Sequence, residues 1–97
     1  MALLDDIKKA LRVTHTALDS EITDLIEEAR QDLIQSGVSS SKANDVTDSL
    51  IKRAIRTYCR ANFITDIDQA ERFQESYNML KIHLALSGDY TEGDVIA

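Results

Sequence analysis

The chain has no proline and no tryptophan, and among its 97 residues there are three glycines, five aromatic residues and one cysteine. Each shortage argues against a class of protein. β-Rich domains depend on Gly/Pro turns and on strands enriched in aromatic and β-branched residues, so this composition favours an all-α fold. The lone Cys59 has no partner for an internal disulfide and no companions at zinc-ligand spacing, which is the cysteine usage of an intracellular protein. No apolar run approaches the roughly 20 residues that span a bilayer, and the first residues lack the basic-then-apolar pattern of a signal peptide. The chain therefore reads as soluble and untargeted. Its length allows one modest core and no second one. The expectation is a single domain over 1–97, with a helical body over 1–88 and a flexible C-terminal tail over 89–97.

The periodicity that remains is helical, and it predicts a bundle of about four helices. The first, over Leu3 to Arg12, puts Leu4, Ile7 and Leu11 on one stripe, with Asp5 and Asp6 in its first turn and Lys8, Lys9 and Arg12 towards its end, the favourable order against the helix dipole. It is too short to be stable alone, so its stripe has to dock on the other helices. The break at "VTHT" then lets the chain reverse. The second helix runs from Asp19, the expected N-cap, to Ser36, with Gly37 beyond its end and Ile22, Leu25, Ile26, Ala29 and Leu33 on one face. "VSSSKAN" shows no periodicity and reads as a polar loop. The third helix, Val46 to Phe63, gathers Leu50, Ile51, Ala54, Ile55, Tyr58 and Phe63 on one side, with Lys52, Arg53, Arg56 and Arg60 opposite. Asp66 and Gln69 suit the start of a fourth helix and Gly88 suits a left-handed residue after it.

That fourth helix is apolar on two opposed faces. Ala70, Phe73, Tyr77, Leu80 and Leu84 form one stripe; Met79, Ile82 and Leu86 form another in its C-terminal half. Either the short first helix covers the second stripe, or the stripe is a contact surface for a partner. The tail "DYTEGDVIA" is polar, then apolar, and too short to fold by itself, so Tyr90, Val95 and Ile96 join Met79, Ile82 and Leu86 as candidate partner contacts. Charge is just as unevenly placed. Residues 1–49 carry ten acids and five bases (net −5), and residues 50–97 seven acids and six bases (net −1), which sum to the chain's −6. On the second helix Glu21, Asp24, Glu28 and Asp32 face away from the apolar stripe, whereas the third helix turns only Lys52, Arg53, Arg56 and Arg60 outward. Two readings follow: solvated faces with weak local ion pairs, or a head-to-tail contact in which the acidic face of one subunit meets the basic face of the next and repetition closes a ring.

Catalytic chemistry finds few candidates. His15 and His83 each lack a second ligand at helical spacing. Cys59 falls on an apolar face without an activating base and reads as packing. There is no Gly-rich phosphate loop and no nucleophile, base and acid in a recognisable order, so neither enzymatic activity nor a metal or cofactor is expected. The basic stripe could neutralise phosphates. Against this, the net charge repels nucleic acid, no surface aromatics interleave with the stripe, and "DVTDSLIKRAIRTYCR" lacks the Gly-containing turn of a helix-turn-helix motif.

Four segments carry a resemblance. "LLDDIKKALRV" followed by "LDSEITDLIEEARQDL", then "IKRAIRTYCRANF" and "AERFQESYNMLKIHLALSGDY", resemble in order and spacing the phage head-tail connector family, the small α-helical adaptors and DNA-packaging connector proteins of siphophages and related prophages. The likeness covers nearly the whole chain. It departs at "SSSKAND" and "TEGDVIA". The resemblance implies a structural virion protein that forms a ring on the portal, extends the DNA channel and presents a platform for the next connector or stopper protein. It would reside at the head-tail junction, after assembly in the host cytoplasm. DNA would be passing cargo, no cofactor or membrane would be involved, and the isolated protein could be monomeric. An acidic channel wall would discourage DNA from sticking. Two other readings stay open: a small helical DNA-binding regulator using the basic face of the third helix, and a helical interaction module with an unrelated partner.

Overall fold

The computed structural model describes residues 2–63 and 66–91. Its helices are α1 (Ala2–Leu11), α2 (Asp19–Gln35), α3 (Ser40–Ala43), α4 (Ser49–Phe63) and α5 (Ile67–Leu86), with no strand among the described residues. The fold is an all-α bundle. Helix α4 lies at its centre, packed against α1, α2 and α5, while α1 also touches α2, and α3 packs on α2.

One cluster forms the core. It combines Leu3 and Ile7 of α1, Ile22, Ile26, Ala29 and Leu33 of α2, Val38 and Ala43, Ile51, Ala54, Ile55 and Cys59 of α4, and Tyr77 and Leu84 of α5, all buried. Leu4 and Leu11 pack on its edge, so the whole stripe of the short first helix is docked, as its marginal stability alone requires. Burying an Ile or Leu side chain contributes about 1.5–3 kcal/mol, so the two fully buried side chains of α1 outweigh the cost of its brevity.

The helix ends explain where the chain turns. Helix α2 ends as its Gly37 foretells: Gly37 has φ 117, the Val38 N–H donates to the Leu33 carbonyl (3.0 Å) and the Gly37 N–H to the Ile34 carbonyl (3.1 Å), the paired bonds of a Schellman motif. Helix α1 ends in the same pair, Val13 to Lys8 (2.9 Å) and Arg12 to Lys9 (3.1 Å), but here the positive-φ residue is Arg12, at φ 60.

Four local expectations need correction. Asp19 is not the cap of α2; it is the first helical residue, makes no capping bond, and is ion-paired instead with Lys8 of α1 at 2.7 Å. The stretch read as an open loop contains α3, a single turn capped by Ser39, whose Oγ accepts from the Lys42 N–H; one turn is too short to leave a periodic signal. Helix α4 starts at Ser49 and not at Val46, because the Asp48 carboxylate accepts from the N–H groups of Leu50 (2.9 Å) and Ile51 (3.1 Å) and so fixes the start. Asp66 does cap α5, accepting from the Gln69 N–H at 3.2 Å. Gly88, however, is not left-handed: α5 stops at an extended Ser87, and the chain turns to bring Tyr90 back onto the bundle.

Candidate functional site

The acidic residues of α2 divide into two sets. Asp32 is engaged inside the chain, accepting from the Tyr77 hydroxyl at 2.6 Å and from the Lys81 ammonium at 3.0 Å. Glu28 accepts from the Tyr58 hydroxyl at 3.2 Å but remains exposed. Glu21 and Asp24 are exposed, and among the described residues no base lies within ion-pair reach of either. The Tyr58 and Tyr77 rings meet edge to face with centroids 5.1 Å apart. Burial, then the bond to Glu28, pushes the Tyr58 hydroxyl up to about 12; burial, then the bond to Asp32, pushes Tyr77 far above the ordinary phenol range. Both are neutral hydrogen-bond donors at any physiological pH.

The basic residues of α4 divide in the same way. Lys52 reaches Asp6 of α1 at 3.5 Å. The Arg60 guanidinium donates to the Ala10 carbonyl at 3.4 Å, satisfying one of the orphaned carbonyls at the end of α1, and sits 5.4 Å from the centroid of the Phe73 ring. Arg53 and Arg56 have no carboxylate within ion-pair reach among the described residues. They line a groove of ≈ 650 Å³ between α4 and α5, together with Arg60 and His83 above Phe73, Met79 and Leu80. On the other side of α4, Lys9, Lys52, Arg56 and Arg60 line a second depression against α1, with the Asp6 carboxylate among them. The outer face of α4 is thus a basic floor between α1 and α5, and no ion pair joins it to the acidic face of α2 in the same subunit.

The second stripe of α5 is uncovered. Met79 is 73 % exposed, Ile82 57 % and Leu86 82 %, because α1 packs on α4 and α2 instead of reaching over α5. Tyr90, grouped with these residues in sequence, behaves differently. Its hydroxyl donates to both oxygens of Asp48 (2.9 and 3.1 Å), its carbonyl accepts from the Ser39 N–H (2.8 Å), and Lys42 lies 5.5 Å over its ring. Tyr90 is therefore a strap that ties the chain after α5 back onto the bundle. Val95 and Ile96 lie outside the described residues.

Cys59 is buried in the core, and burial, with the Glu28 charge second, pushes its thiol up to about 12. His15 and His83 are exposed. Among the described residues no three His, Cys, Asp or Glu side chains converge as a metal site, and no helix is long and apolar enough to cross a membrane. The reading from sequence missed three features: the Asp48–Tyr90 strap, the Tyr77–Asp32–Lys81 network and the left-handed Arg12. Only the last left a trace, an arginine standing directly after the final apolar residue of a helix, where glycine is usual.

The fold and its surface define an all-α bundle that presents separate acidic, basic and apolar faces on its helices. A family model described as phage connector protein matches residues 3–91, and the chain belongs to that family. No curated protein and no solved structure matches the chain. Family membership makes it a phage structural connector, a component of the virion.

Proposed function

We propose that the protein is a head-tail connector that forms a ring on the portal, extends the DNA channel and carries the next connector or stopper protein. The observation that carries this is a matched pair of uncompensated rows. Glu21, Asp24 and Glu28 on α2 and Arg53, Arg56 and Arg60 on α4 share the spacing i, i+3, i+7, so both rows climb about 4.5 Å and then about 6 Å. They lie on different faces of one subunit with no ion pair between them. A surface that is its own complement but cannot satisfy itself within one copy makes a heterologous contact, and such contacts generate a ring when the rotation between copies closes, as assembly on a symmetric portal would impose. The contact pairs three acids with three bases, so the subunit's net charge of −6 stays on its remaining surface, where it repels DNA passing through the channel.

The exposed end of α5, with Met79, Ile82 and Leu86, and the tail with Val95 and Ile96 form the surface for the portal in this reading. Tyr90, tied to Asp48 and Ser39, anchors the chain just before that tail.

The subunit contact is tested by charge exchange at residues without internal duties. Arg53→Glu with Arg56→Glu is expected to abolish assembly on the portal, and adding Glu21→Arg with Asp24→Arg to restore it. Arg60, Glu28 and Asp32 are poorer choices, since each also holds a contact inside the subunit. Assembly unaffected by the first pair, measured by sedimentation of connector with portal, would rule the contact out.

A further inference from the structure

Helices α1 and α2 end in the same hydrogen-bonded motif, but α2 places a glycine at the positive-φ position and α1 places Arg12 there, at φ 60. A side chain in this conformation brings Cβ too close to the following carbonyl, and glycine does not. An outlier of this kind points to a role for the side chain it carries. Arg12 lines a pocket of ≈ 310 Å³ between the end of α1 and the start of α5, whose walls are Ala10, Leu11, Arg60, Phe63, Gln69 and Phe73. Arg60 is already fixed there by the Ala10 carbonyl and the Phe73 ring. The pocket thus presents two guanidinium groups against two aromatic rings and one amide, with no carboxylate in its lining.

We propose that this pocket is an anchor socket for a carboxylate side chain of a second copy of this chain, Glu28 of the neighbouring subunit. The inference rests on the ring contact above and deepens it. The acidic and basic rows match residue for residue only when α2 and α4 of adjacent copies run in the same direction, which sets Arg53 against Glu21, Arg56 against Asp24 and Arg60 against Glu28. Arg12 then completes a two-guanidinium clamp, and paired charge-assisted bonds from guanidinium forks are the strongest this chemistry offers a carboxylate. A carboxylate on an aliphatic stem also fits the aromatic walls. A DNA phosphate fits less well, since the socket is walled by phenyl rings and the chain's net charge of −6 repels a polyanion.

Arg12→Gly tests the socket, because glycine removes the guanidinium and relieves the backbone. The full chain carrying it is expected to keep a Tm equal to or above wild type, while the concentration needed for half-maximal assembly on the portal rises about tenfold or more. In a second arm, the double variant R12C with E28C is expected to give crosslinked ladders of subunits with a short bismaleimide, whose spacer replaces the two long side chains that a direct disulfide would be too short to span, and each single variant none; the buried Cys59 does not compete. Normal assembly of Arg12→Gly, a lowered Tm that accounts for its loss, or absence of the ladder would each overturn the proposal. So would binding of duplex DNA by the isolated wild-type chain that Arg12→Gly weakens, which would make phosphate the occupant. Failure of the wild-type chain to assemble on the portal is a different result: it removes the ring reading itself.

Discussion

Asp48 is the residue whose loss the structure quantifies best, because one carboxylate does two jobs. It caps α4 through the Leu50 and Ile51 N–H groups and holds the strap through the Tyr90 hydroxyl. Asp48→Ala removes the cap, which costs about 1 kcal/mol, and strips the partly buried Tyr90 hydroxyl of its partner, which costs about 1 kcal/mol more. The sum of about 2 kcal/mol lowers Tm by about 8–16 °C at the sensitivity of a domain this size. Asp48→Asn keeps an acceptor oxygen for the cap and should cost less than half as much. Tyr90→Phe should cost about 1 kcal/mol and leave the cap intact. Thermal unfolding followed by circular dichroism measures all three, and the double variant should show a coupling of about 1 kcal/mol between the two sites. Additive effects, or an Asp48→Ala variant within about 0.5 kcal/mol of wild type, would mean that the strap and the cap are not one structure.

The remaining expectations concern the buried thiol and the exposed helix end. Cys59 titrates near 9.0 when exposed and near about 12 in the fold, so the folded state holds its proton more tightly. The corresponding stability is complete below pH 9 and is lost as pH rises towards 12, with Tyr58, raised from 10.0 to about 12, adding to the loss above pH 10. Denaturant midpoints should be flat from pH 7 to 8.5 and fall beyond pH 9, and a thiol reagent at pH 8 should modify Cys59 only after unfolding; rapid labelling of the native protein would contradict its burial. Replacing Met79, Ile82 and Leu86 by serine should change stability by no more than about 0.5 kcal/mol per site while weakening portal binding about tenfold or more. Truncation after Thr91, which spares the Tyr90 strap, should likewise leave a folded chain that binds portal less tightly. Undiminished binding in both variants would move the portal contact elsewhere.

The long elements were legible because burial enforces periodicity. Ile22, Ile26, Ala29 and Leu33 lie on one face of α2, and all four are buried; Lys52, Arg53, Arg56 and Arg60 fall opposite the buried residues of α4 as spacing requires. The second stripe of α5 was equally readable, but its exposure was not, since periodicity says that a face is apolar and not what covers it. Side-chain hydrogen bonds and ion pairs, local and long-range, account for the misreadings. Asp19 and Asp48 are both acceptable caps in sequence; Asp48 takes that role through the Leu50 and Ile51 N–H groups, whereas Asp19 pairs with Lys8 of α1, a tertiary neighbour. Tyr90 looked like a partner contact because its neighbours are a tail and an apolar stripe; its ties to Ser39, Lys42 and Asp48 span more than 40 residues and have no signature in the chain order. Arg12 shows the reverse, a local feature that leaves only a trace in the sequence and gains meaning once Arg60 and the two phenylalanines are seen around it.

In the proposed ring the acidic row of α2 meets the basic row of α4 of the next subunit. Cryo-electron microscopy of the connector mixed with its portal tests it directly. The expected result is a ring on the portal in which Glu21 and Asp24 of one subunit lie within ion-pair distance of Arg53 and Arg56 of the next, with Met79, Ile82 and Leu86 turned towards the portal. A ring whose channel is lined by Lys52, Arg53, Arg56 and Arg60, or a connector bound as isolated single subunits, would contradict it.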